Sequence, residues 1–190
     1  MVELTSLVSG LGIAILGSIA LFNRSFVGLW TGPDIYAGHA VNSIVCINAW
    51  MWSIFSLWCW PIDASGNTGR LVPYAIVCGI LNLAVSIGAT RAIGISGPLV
   101  GTLVAFTAVY SWAIPRTLRR VFAIEPRRLV VAALRPLIWG IPYLAFSYWL
   151  FGQYPPSGWF TLAGESALCA MGSLSLWWCF TLNRTRLSGV

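Results

Sequence analysis

Six long apolar runs, separated by short polar or Gly/Pro-rich turns, account for almost the whole chain. The first extends from about Leu4 to Phe22 and stops at the polar pair Asn23-Arg24; a connector rich in Gly, Pro and aromatic residues, Ser25 to Gly38, follows. The second covers about Ala40 to Trp60 and ends at Pro61. A turn of small polar residues, Asp63 to Arg70, leads to the third, Leu71 to Thr90. The fourth, about Ile95 to Ile114, ends before Pro115. The fifth, about Leu129 to Phe151, and the sixth, Trp159 to Leu182, flank a tight turn around Pro155-Pro156. Each run is close to the roughly 20 residues that a helix rising 1.5 Å per residue needs to cross about 30 Å of hydrocarbon. None alternates with the period of two that a membrane barrel requires. The pattern predicts an all-α fold: one polytopic transmembrane domain, a bundle of about six transmembrane helices.

Composition strengthens that picture. Hydrophobic residues make up 58% of the chain and charged residues only 8%, and the mean hydropathy is +0.81. A soluble domain carries about a quarter of its residues as charges, so a lipid bilayer has to cover much of this surface. Glu3 stands where a cleaved leader would be basic, so no signal peptide is expected.

The 11 basic residues are all arginine and outnumber five acidic ones, for a net charge of +6. Ten of them sit at the ends of apolar runs, a distribution that fits membrane topology better than nucleic-acid binding. With the loop bearing Arg116, Arg119, Arg120, Arg127 and Arg128 on the cytoplasmic side, Arg70, Arg184 and Arg186 fall there too. Only Arg24 and Arg91 are left outside. The positive-inside rule selects this orientation, with both termini cytoplasmic. Pro115 to Phe122 is expected as a short helix on the membrane surface.

Trp58, Trp60, Trp112, Trp177 and Trp178 then fall at cytoplasmic helix ends and Trp149 and Trp159 at outer ends, as in an interfacial belt. Trp50, Trp52 and Trp139 fall near mid-helix, where packing between helices is the better reading and a cavity lining the other.

Catalytic chemistry finds little to work with. His39 is the sole histidine and lies beside a loop. No P-loop or GxSxG occurs. The five cysteines (Cys46, Cys59, Cys78, Cys169, Cys179) lie within apolar runs without metal spacing, so they read as packing residues. The expectation is a protein that is not an enzyme and needs no metal or cofactor.

Polar groups inside apolar runs are the candidates for function, since an ionisable side chain in a bilayer costs about 2.5–3.5 kcal/mol on insertion scales. Arg135 lies about a turn and a half into the fifth run; it either snorkels to headgroups or offers its fork to a phosphate. Glu165, about two turns into the sixth, either meets an outer-side partner or water, or serves as a cation or proton site. Along the membrane normal these two stand roughly 15 Å apart, too far to pair directly. Asn48 and Asn82 lie near the middle of the second and third runs, as interhelical glue or as part of a polar path. Gly97 and Gly101 form a GxxxG that admits close helix approach.

Two stretches carry a resemblance. Asn23-Arg24-Ser25-Phe26-Val27-Gly28-Leu29-Trp30-Thr31-Gly32-Pro33 resembles the loop after the first helix in the C-terminal half of bacterial polysaccharide flippases. Asn82-Leu83-Ala84-Val85-Ser86-Ile87, followed by Gly94, Gly97, Gly101 and Thr102, resembles their later Asn/Ser helix and glycine-rich hairpin. These flippases are the O-antigen and exopolysaccharide translocases of the multidrug/oligosaccharidyl-lipid/polysaccharide exporter superfamily. The resemblance implies an inner-membrane protein moving an undecaprenyl-diphosphate-linked oligosaccharide by alternating access, with Arg135 as a diphosphate contact. Family members have two similar lobes and this chain resembles one. A second six-helix lobe or partner subunit is therefore implied for transport. A cation-coupled exporter of small molecules from the same superfamily, and a truncated, non-transporting membrane subunit, are the alternatives.

Overall fold

The computed structural model describes residues 1–153 and 155–182; Tyr154 and the tail bearing Arg184 and Arg186 lie outside the described residues. Helix dominates and no strand occurs among the described residues. The elements are α1 (Val2–Trp30), α2 (His39–Ala64), α3 (Val72–Ile93), α4 (Gly97–Ala105), α5 (Ser111–Phe122), α6 (Pro126–Gly152) and α7 (Trp159–Trp177). A π-helical turn, Phe106–Tyr110, joins α4 to α5 without a break, and another, Trp178–Leu182, extends α7. Four stretches are long and apolar enough to cross a membrane: Val2–Trp30, His39–Ala64, Val72–Phe122 and Pro126–Gly152. The chain thus has the make-up of a membrane protein.

The 51 residues of Val72–Phe122 do not form one rod. Gly94 takes φ +71°, a left-handed conformation suited to glycine, and a single turn at Gly94–Ser96 reverses the chain. The α3–α4 hairpin closes tightly because Gly101 faces Asn82 and Ser86, and Gly97 faces Thr90, with no side chain in between. Asn82 Nδ2 donates to Thr102 Oγ1 at 3.5 Å across the seam. Farther along, Tyr74 meets Trp112 edge-on.

α1 is the hub, packing on α2, α6 and α7. Its buried residues, Thr5, Ser9, Gly10, Ile13, Ala14, Gly17, Ser18 and Phe22, recur at helical spacing and are mostly small. Small residues admit neighbouring backbones, the usual basis of packing where lipid supplies no hydrophobic drive. α6 runs parallel to α1: Ser9 Oγ donates to the Ala133 carbonyl at 2.6 Å, and Phe22 meets Phe151 edge-on at 5.3 Å. α2 and α7 run antiparallel to it. Trp58 Nε1 donates to Thr5 Oγ1 at 2.9 Å and Asn42 Nδ2 to the Ala20 carbonyl at 2.9 Å. Trp177 packs at Gly10 and Trp159 at Phe26.

At one end of the bundle Ile62, Ile114, Leu118 and Leu129 form the main core, with Met1, Leu71 and Ile124 packed against it. The α2–α3 turn and the α5–α6 loop therefore gather there with Arg70, Arg119, Arg120, Arg127 and Arg128, all exposed. We refer to this as the basic end. Phe22, Leu162 and Cys169 form a second core toward the far end.

Three sequence expectations need correction. α1 does not stop at Asn23-Arg24 but continues to Trp30, because Asn23 Nδ2 finds an acceptor in Asn42 Oδ1 at 3.0 Å and no breaker arises before Gly32-Pro33. The fourth run does not end before Pro115. Helix continues through it to Phe122, and the π turn ends just before Ser111, whose carbonyl the proline ring leaves unbonded. The Pro115–Phe122 segment is thus the end of a long helix, with Thr117 and Leu118 buried and Arg116, Arg119 and Arg120 exposed. Finally, Trp58 and Trp177 do not belong to an interfacial belt. Trp58 is 2% exposed and Trp177 9%, and Trp177 Nε1 donates to Ser6 Oγ at 3.4 Å. Trp60, Trp112, Trp149, Trp159 and Trp178 are exposed large aromatics.

Candidate binding clefts

A cavity of about 720 Å³ opens at the far end. Its walls come from the extended end of α1, the start of α2 and the last turns of α6. Asn42, 7% exposed, ties the start of α2 to α1 by bonding both Asn23 and the Ala20 carbonyl. Gly38, at φ +97°, turns the chain into α2 so that His39 opens that helix. Tyr36 then lies beside His39, its hydroxyl 3.3 Å from Nδ1 and the two rings edge to face.

Arg24, Ser25, His39 and Tyr148 supply the polar lining, and Phe22, Trp149 and Phe151 the aromatic one. No carboxylate among the described residues lines this cleft. Among the described residues the only ion pair is Arg128–Glu125, an exposed pair at 3.0 Å, so Arg24 has no acidic partner there. Burial raises the Tyr36 phenol above its ordinary value, while nearby Arg24 and Asn42 pull it down. The result is a wide, aromatic-walled mouth carrying a guanidinium, an imidazole and hydroxyls, a lining that suits an anionic, hydroxyl-rich group.

The residues singled out by sequence divide between different places. Asn48 and Asn82 come together on α4. Asn48 Nδ2 donates to the Leu99 carbonyl at 2.9 Å, one turn from Thr102, which Asn82 reaches. Asn82 Oδ1 also accepts from Ser86 at 2.9 Å. Asn48 Oδ1 is buried without a partner among the described residues. This is a polar seam holding α2, α3 and α4 together, with Gly97 and Gly101 buried beside it.

Arg135 and Glu165 are both half-buried and far apart. Arg135 follows Ala133, which sits level with Ser9, whereas Glu165 lies between Trp159, level with Phe26, and Trp177, level with Ser6. By the helical rise they stand about 15 Å apart along the bundle. Arg135 makes no hydrogen bond or ion pair among the described residues, and Glu165 Oε2 is buried without a partner.

Among the mid-helix tryptophans, Trp50 Nε1 donates to Ser9 Oγ at 3.3 Å, and Trp52 and Trp139 stack on Phe106 and Phe180. Cys46, Cys78 and Cys169 are buried, Cys59 is half-buried and Cys179 is exposed. No group of three His, Cys, Asp or Glu side chains gathers as a metal site among the described residues.

Sequence reasoning missed the far-end cleft. Arg24 and His39 stand 15 positions apart and Tyr148 more than a hundred beyond, so no local motif joins them. The one available signal was the run Ser25 to Trp30, which contains no proline. Read as helix rather than connector, it carries Arg24 up to the mouth. No known family matches the chain, and neither curated proteins nor solved structures show a similar protein.

Proposed function

We propose that the chain is one lobe of a membrane transporter for oligosaccharides carried on a polyprenyl diphosphate, crossing the bilayer six times with its basic end in the cytoplasm. The observation that carries this reading is the far-end cleft. Its cationic and hydroxyl lining fits a diphosphate and sugar, and its aromatic walls fit sugar faces and the first prenyl units. Six crossings follow if the α3–α4 hairpin counts as two passes and α7, 19 residues long, as a sixth. The positive-inside rule then puts Arg70 and the α5–α6 arginines in the cytoplasm and the cleft at the outer surface.

Two further observations support a lobe rather than a whole transporter. Arg135 and Glu165 both lie in membrane-crossing helices without partners among the described residues. An opposing lobe would give such groups a shared aqueous cavity. On this reading Arg135, toward the basic end, meets the diphosphate on the cytoplasmic side, and Arg24 receives it on the outer side. The resemblance of the 23–33 and 82–102 stretches to polysaccharide flippases points the same way.

The test is binding of a polyprenyl diphosphate to the chain in nanodiscs. Arg24→Ala is expected to weaken it by about tenfold, the scale of one charge-assisted hydrogen bond. Binding that is absent, or indifferent to Arg24, refutes the reading.

A further inference from the structure

A second cleft, of about 250 Å³, opens at the basic end between α2, the start of α3 and the π turn. Its chemistry is opposite to that of the first. Trp52, Phe55, Trp60 and Tyr110 contribute aromatic walls, and among the described residues Asp63 is its only charged lining residue.

The π turn builds one wall. By widening the helix at Phe106–Tyr110 it stacks those two rings 5.6 Å apart. Phe106 then stacks on Trp52 at 5.7 Å, and Tyr110 meets Phe55 edge-on at 6.0 Å. π turns of this kind concentrate at functional sites. Asp63 lies in the last turn of the 26-residue α2, where the helix dipole also favours positive charge. Thr68 Oγ1 donates to Asp63 Oδ1 at 3.0 Å, which leaves the second carboxylate oxygen for a ligand. Arg70, Arg119, Arg120, Arg127 and Arg128 are not in the lining; they are exposed, where solvent screens them over a Debye length of about 8 Å.

Trp60 stands one turn before Asp63 on the same face of α2, and an aromatic ring beside a carboxylate is the setting that a quaternary or primary ammonium selects. The volume is below the roughly 300–1,000 Å³ of pockets for drug-sized ligands, so the occupant is compact. We propose that this cleft binds a compact alkylammonium group, carried either by a small soluble cation or by a phospholipid headgroup. The proposal is independent of the oligosaccharide reading, which concerns an anion at the opposite end.

Choline is the probe, with 3,3-dimethylbutanol as its uncharged isostere. Both are titrated by calorimetry into the full chain in phosphatidylglycerol nanodiscs. Choline is expected to saturate, the isostere to bind about tenfold or more weakly, and Asp63→Asn to remove that preference. Asparagine keeps an acceptor for Thr68, and an unchanged melting temperature verifies the fold of the variant. Trp60→Leu should weaken choline as well, and Asp34→Asn, at the far end, should not. A second set in phosphatidylethanolamine nanodiscs distinguishes the sources. Weaker apparent choline affinity there identifies the lipid headgroup as occupant, and unchanged affinity identifies a soluble cation. Equal binding of choline and its isostere, or full choline binding by Asp63→Asn, overturns the proposal.

Discussion

Replacing Gly101 with alanine adds one methyl group at a close approach within the α3–α4 hairpin. A Cβ there would lie 2.8 Å from the Asn82 carbonyl oxygen and 2.9 Å from Asn82 Oδ1, and closer still to Ser86 Oγ. Ordinary contact begins near 3.4 Å, so about 0.6 Å of separation is needed. Ser86 is able to rotate away, but a backbone carbonyl inside a helix is not. The helices must part, and a radial gap of about 0.5–1 Å forfeits a quarter to a half of each contact along the seam. The Asn82–Thr102 bond, already 3.5 Å long, lengthens too. Overpacking of this kind costs about 1–3 kcal/mol, against which alanine recovers up to about 1 kcal/mol of helix propensity. A net loss of up to about 2 kcal/mol is expected. Gly88→Ala, in α3 of the same hairpin, is the control, since nothing lies within 4 Å of a Cβ there. That variant should be neutral or slightly more stable. Reversible unfolding in mixed detergent micelles, followed by far-UV circular dichroism, measures both. A Gly101→Ala protein at least as stable as the parent would refute a closely packed hairpin.

Other consequences follow from particular contacts. Asn42→Leu strands Asn23 and frees the Ala20 carbonyl, so it should cost about 1–2 kcal/mol in the same assay; adding Asn23→Leu should recover part of that loss. Ala123 ends α5 at φ +56°, a left-handed conformation that costs an L-residue roughly 1–2 kcal/mol. Ala123→Gly should therefore raise stability, by about half that amount once the extra chain entropy of glycine is set against it. The raised Tyr36 phenol gives a pH effect of defined sign. Below pH 10 both folded and unfolded chains keep the proton and the contribution is constant. Above it the unfolded chain ionises first, so stability falls as pH rises. Tyr36→Phe should reduce that alkaline loss, as read from melting temperature against pH.

The sequence displayed the long helices because their apolar runs exceed what any soluble core of this length demands. It displayed the seam of Asn82, Gly97 and Gly101 because small and amide side chains stand out within such runs. It misled where a polar residue is satisfied by a distant one. Asn23 reads as a helix end until Asn42 is known to bond it, 19 positions away. Trp58 reads as an interfacial anchor until Thr5 is known to accept its indole proton. Pro115 reads as a stop because the preceding π turn leaves no mark in the local pattern. Both clefts escaped notice for the same reason: their linings join helices far apart in the chain, and only packing around α1 and along the α3–α4 hairpin brings them together.

Six crossings require that the Gly94–Ser96 turn and the Ala64–Leu71 turn emerge on opposite sides of the membrane. Ile95, 94% exposed at the tip of the hairpin, is the most direct reporter. In a variant whose five cysteines are replaced by alanine, single cysteines at Ile95 and Ser65 would be probed with a membrane-impermeant maleimide in sealed right-side-out vesicles. Labelling at position 95 without permeabilisation, and at position 65 only after it, is the predicted result. Labelling of both positions from the same side would contradict the six-pass arrangement and the outward-facing cleft built on it.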